Sequence, residues 1–211
     1  MSEDNLLWWP KPRFTEARFR PYVAAIGQAS LAWNELHEHL GRLFCYLVPA
    51  PSRNLPLALW QSQRVDRSKR ELMKAALAAI PPGDNIHVQR PLLRDDLEWL
   101  LGRVEAMEEP RNNTVHAPLQ LMLDMGKPKA FNAQTRIDHL NAADVVPLDL
   151  GGNSRALKLA GKTLLVEFRW CRDSLLVLRD FTFDADMSLT QAKPWPDRPK
   201  MPVRQGSTPA R

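Results

Sequence analysis

Residues Arg111, Asn112, Asn113, Thr114, Val115 and His116 place a permanently charged guanidinium five positions before an imidazole, with an amide directly after the arginine. Arginine offers a planar fork of N–H donors that can hold and neutralise two oxygens of one phosphate. Histidine trades a proton near pH 7 and can act as general base or general acid. These are the two functions that phosphodiester cleavage needs when no metal takes part. The candidate catalytic set is therefore Arg111, Asn112 and His116, with no metal ligand set and no cofactor called for. The plainer reading of the same residues is a helix-end arginine paired with Glu108 or Glu109 and a core histidine bonded to backbone.

The motif has to be positioned by helices. Ile26, Ala29, Trp33, Leu36, Leu40, Leu43 and Leu47 recur at three- and four-residue spacing, which predicts one long helix over residues 15–48, ended before Pro49 and Pro51. Pro21 opens its regular part or kinks it. A short helix is expected over residues 55–63 and another over residues 66–80, stopped by Pro81-Pro82-Gly83. The last of these carries Leu72, Met73, Ala76, Leu77 and Ile80 inward, with Arg67, Lys69, Arg70 and Glu71 on the wet side. After Pro91, the stripe Leu93, Leu97, Leu100, Val104 and Met107 steps onto Arg111, so a charge stands where the apolar seam would continue and should face a crevice. Pro110 is expected to bend the helix there. In an ideal helix Arg111 and His116 stand about 140° apart, so a bend or a helix end would help them converge.

Periodicity fades over residues 120–155, which read as a long loop insertion with a small hairpin pairing residues 120–125 with 145–150. A closing helix is expected over residues 158–181, with Leu164, Phe168, Cys171, Leu175 and Leu178 buried.

Other candidates carry less chemistry. His37-Glu38-His39 is no metal site, because side chains two apart on a helix diverge by about 200°, and these histidines read as surface or interface groups. His87 and His139 have no recognisable partners. Asp95 and Asp96 suit the electrostatics of a helix start better than a catalytic pair. Trp33, Trp60, Trp99 and Trp170 fall within helices and read as core or interface aromatics. Cys45 and Cys171 form neither a metal pattern nor a disulfide framework.

An all-helical chain with a long first helix, a seam running into an arginine, an adjacent asparagine and a closing helix resembles the HEPN (higher eukaryote and prokaryote nucleotide-binding) superfamily. The segments from Ala32 to Leu36 and from Leu59 to Arg64 are similar to stretches of bacterial proteins of this kind. The resemblance covers residues 15–185 and implies an all-α, HEPN-like up-and-down helical bundle whose insertion departs from the minimal four-helix form. It implies a homodimer in which two Arg-His motifs share a cleft, and a metal-independent endoribonuclease of toxin or defence type acting on RNA. His116 would then move the proton at the ribose 2′-hydroxyl or the leaving oxygen, giving a 2′,3′-cyclic phosphate. Arg111 would position the scissile phosphate, and Asn112 would orient the histidine or a phosphate oxygen. An antitoxin protein is a further implied partner. The same resemblance admits a catalytically inactive module that binds a nucleotide or a protein as a dimer.

The net charge of +5 is concentrated at the end. From Thr190 on, Lys193, Arg198, Lys200, Arg204 and Arg211 face Asp197 alone, which leaves the folded part nearly neutral. Residues 186–211 are expected to be a disordered, basic, Pro-rich tail and residues 1–14 an arm. No secretory or membrane-spanning pattern is visible, so a cytoplasmic protein without membrane contact is expected.

Overall fold

The computed structural model describes residues 17–52, 54–81, 90–116, 119–122, 144–147, 159, 161–191 and 193–205. Among these residues five helices carry the fold: α1 (Arg20–Leu47), α2 (Asn54–Ser62), α3 (Asp66–Ala79), α4 (Leu93–His116) and α5 (Gly161–Gln191). Strands β1 (Leu119–Met122) and β2 (Asp144–Pro147) pair antiparallel between α4 and α5, with Leu119 opposite Pro147 and Met122 opposite Asp144. The class is all-α with up-and-down packing, and where a hairpin of residues 120–125 with 145–150 was expected, the pairing described spans residues 119–122 and 144–147. The chain between its strands lies outside the described residues, as do residues 1–16, His87 and His139.

Pro21 sits in the first turn of α1, where a missing N–H costs nothing. α1 and α5 run parallel, since Tyr22–Gly161, Gln28–Arg172, Glu35–Arg179 and His39–Asp186 pair at sequence offsets of 139 to 147. α4 runs against α3, since Arg94 meets the Leu77 carbonyl and Glu108 meets Arg70, and against α5, since Arg90 just before α4 meets the Ser188 carbonyl and Trp99 meets Phe181. The core between them is Leu36, Leu40 and Leu43 from α1, Leu97, Leu100 and Val104 from α4, and Leu175 and Leu178 from α5, all fully buried. A smaller cluster of Phe19, Tyr22, Ala25, Leu119, Leu164 and Phe168 closes the other end.

Three expectations are corrected. α5 continues to Gln191, ten residues past the predicted end, because Ala185, Asp186 and Ser188 remain buried. The tail is not a solvated run over residues 193–205. Trp195 Nε1 donates to Asp96 Oδ2 at 2.7 Å, Arg198 pairs with the same carboxylate, Trp170 Nε1 donates to the Pro202 carbonyl at 3.1 Å, and Arg204 pairs with Glu167. Arg198 and Arg204, two of the basic residues that suggested disorder, help to dock it, because their acidic partners lie on α4 and α5. Arg70, expected on the wet side, is 1% exposed and paired with Glu108. That pairing engages the Glu108 carboxylate with Arg70 in place of Arg111.

Candidate functional site

The apolar stripe of α4 does end on Arg111. Leu93, Leu97, Leu100, Val104 and Met107 are buried, and Arg111, one step further, is half-buried. What receives it is Trp33 of α1, only 2% exposed, whose ring centroid lies 5.3 Å from the guanidinium carbon. An arginine over an indole face at this distance is held by the ring quadrupole.

α4 runs as one helix through Pro110 to His116, with Thr114 Oγ1 donating to the Pro110 carbonyl at 2.9 Å. No helix end separates the two motif residues. The length of the arginine side chain closes the gap instead: Arg111 Nη1 donates to Asn112 Oδ1 at 2.9 Å and lies 3.3 Å from His116 Nε2. A guanidinium has only donors. In this contact the guanidinium N–H is therefore the donor and the Nε2 lone pair the acceptor. Asn112 and His116 are both exposed, and Asn112 orients the guanidinium. The structure thus brings Arg111, Asn112 and His116 together at the surface.

Beneath them lies a buried polar cluster that sequence reasoning did not assemble. Trp33 Nε1 donates to Asp66 Oδ2 at 2.8 Å, and His37 Nδ1 donates to the Trp33 carbonyl at 2.9 Å. His37 Nε2 faces Asp66 Oδ1 at 3.8 Å. His37 is 6% exposed and buried within the chain, where a surface or interface histidine was expected. Burial lowers its pKa below 6.5, outweighing the attraction of Asp66. For Asp66 burial pushes the other way, yet His37, the Trp33 N–H, Lys69 and Arg111 together bring its carboxyl below 3.8. Asp66 is the first residue of α3, and periodicity located that helix without saying which neighbour its start would meet. The one available signal was the spacing of Trp33 and His37, which places both on one face of α1.

The remaining candidates are accounted for by structure. Asp96 anchors the tail, and His39 bonds Asp186 at 3.0 Å. Cys171 is fully buried, and burial pushes its thiol up to about 11, which removes it as a nucleophile. Cys45 and Cys171 are not joined in a disulfide. Among the described residues no three histidine, cysteine or carboxylate side chains cluster as a metal site, and no helix is long and apolar enough to cross a membrane. Comparison with protein-family models, with curated proteins and with solved structures finds no match.

Proposed function

We propose that this protein is a HEPN-like, metal-independent endoribonuclease that works as a homodimer. The observation carrying this reading is the approach of Arg111 Nη1 to His116 Nε2 at 3.3 Å, with the guanidinium supported on Trp33 and by Asn112. As the Arg111 guanidinium turns to the phosphate it frees the Nε2 lone pair of His116, which takes the proton of a ribose 2′-hydroxyl. The freed oxygen attacks the adjacent phosphorus, and the bond to the 5′-oxygen breaks, leaving a 2′,3′-cyclic phosphate and a 5′-hydroxyl. The leaving oxygen takes its proton from the imidazolium of a second copy across the dimer cleft, since one motif supplies one imidazole. Arg111 neutralises the charge that builds on the phosphate, a task suited to a cation fixed in advance.

The test is cleavage of a mixed RNA pool in excess EDTA, with end-group analysis for cyclic phosphate. His116→Ala should lower the rate by about a hundred- to ten-thousand-fold, the span of general acid–base catalysis. Arg111→Lys should also be impaired, because an ammonium keeps the charge but cannot grip two oxygens or lie flat on Trp33. Full activity in His116→Ala, or strict dependence on a divalent metal, would remove this chemistry and leave the inactive binding module in its place.

A further inference from the structure

A groove of about 500 Å³ opens beside Arg111, between α1, α2 and the start of α3. That lies within the range of about 300–1,000 Å³ typical of small-molecule sites. Its walls combine three kinds of group. Trp33 and Trp60 supply aromatic surface, Asn34 and Gln61 supply exposed amides, and among the charges Arg42, Lys69 and Arg111 outnumber the carboxylates of Glu38 and Asp66. Gly41 sets the depth of one end: a Cβ there would meet Trp60 Nε1 at 2.7 Å, so the absent side chain lets the indole close against α1.

Two polar atoms at this groove stay unsatisfied by the chain. His37 Nε2 and Arg111 Nε are both buried and lack a hydrogen-bond partner. Because His37 spends its ring proton on the Trp33 carbonyl, its Nε2 is an acceptor, and Asp66 Oδ1, a second acceptor, lies 3.8 Å away. Lys69 Nζ stands 3.9 Å from Asp66 Oδ1, an ion pair too long for a hydrogen bond, so the two neighbouring acceptors still call for a donor with two hydrogens. Burial keeps His37 neutral and so keeps the acceptor available. An exocyclic amino group of a nucleobase has the required pair of N–H bonds, whereas uracil has none.

We propose that this groove is a base subsite, which receives one unpaired nucleotide next to the phosphate held by Arg111 and prefers bases that carry an exocyclic amine. His37 and Asp66 take the amine, the tryptophans border the ring, and Arg42 and Lys69 draw in the flanking phosphate. The inference rests on the reading of Arg111 as the phosphate-holding group and adds base selection to it.

The experiment titrates the full chain with AMP, CMP, UMP and inorganic phosphate, read by tryptophan fluorescence and calorimetry. AMP and CMP should bind about tenfold more tightly than UMP, the effect of one good hydrogen-bonding interaction, and phosphate alone should bind more weakly still. His37→Gln should erase the preference between AMP and UMP. Gln61→Glu, exposed on the rim, should weaken all three nucleotides severalfold with an unchanged melting temperature, and Arg42→Glu should weaken them likewise while also losing the 3.6 Å ion pair of Arg42 with buried Asp186, so the result does not depend on tolerance of a buried change. Equal binding of AMP and UMP, no nucleotide binding, or binding indifferent to Gln61→Glu or Arg42→Glu overturns the proposal. Cleavage of RNA without such binding leaves the nuclease and removes the subsite. Selective binding without cleavage does the reverse.

Discussion

Trp33 joins three charged or titratable groups through different parts of one residue: its ring face supports Arg111, its Nε1–H holds Asp66, and its carbonyl fixes the tautomer of His37. The consequence for His37 is a pH dependence with a defined sign. Its folded pKa lies below the ordinary 6.5 because burial disfavours the imidazolium. In the interval from 6.5 down to the folded value, the unfolded chain therefore binds more protons than the folded one, and stability rises with pH. Its contribution is whole above 6.5 and is lost as the solution is acidified through that interval. Asp66 adds a second loss at lower pH, below 3.8, since its folded pKa is also depressed. Urea unfolding at about pH 7.5 and about pH 5.5 should show a lower midpoint at the acidic value. His37→Gln, which cannot be protonated, should flatten that difference. An unchanged slope in the variant would mean that His37 is already charged in the folded protein.

Between elements, the contact that most directly sets the position of the motif is the one joining α3 to α4. Arg70 is fully enclosed and its partner Glu108 lies three residues before Arg111, so this pair fixes the rotation of α4 just ahead of the site. Lys74 extends the seam to Glu105 at 3.2 Å. Glu108→Ala should destabilise the fold by about 3 kcal/mol, since it leaves a buried guanidinium without a counter-charge. Replacing both partners, Arg70→Met with Glu108→Leu, should recover most of that loss, as measured by the urea midpoint. A small effect of Glu108→Ala would show that solvent reaches Arg70. The pair also marks where legibility in the sequence stops. Apolar periodicity reports which face of a helix turns inward, and it located α1, α3 and the α4 seam that ends on Arg111. It is blind to a buried charge, because Arg70 and an exposed arginine are the same letter until the partner on another helix is known. The motif residues were legible as types at a spacing, whereas Asp66 and His37 join the site only through contacts between helices.

For the whole molecule, the segment after α5 lies against the bundle, touching both ends of the α4–α5 face. Trp195 and Arg198 converge on Asp96, 3% exposed in the first turn of α4, and Arg204 reaches Glu167 while its guanidinium carbon lies 4.7 Å from the Trp170 ring centroid. Proline-rich composition argued for disorder because such segments bury little apolar area. Here the indole of Trp195 and the side chain of Met201 pack on the main core, and charged partners replace the missing hydrophobic stripe. Asp96 decides the energetic consequence. Near the start of a helix its carboxylate gains from the macrodipole, but without Trp195 and Arg198 it is a buried charge with two hydrogen bonds removed. Truncation after Gln191 should therefore cost about 3 kcal/mol. In a chain of this size that corresponds to a fall of about 6–12 °C in melting temperature. Arg198→Ala alone should reproduce part of it, and Asp96→Asn combined with the truncation should restore part, since the neutral amide no longer needs a cation. Calorimetry on the three variants checks this. A truncated chain that melts with the full-length protein would show that the strap does not hold Asp96 in solution.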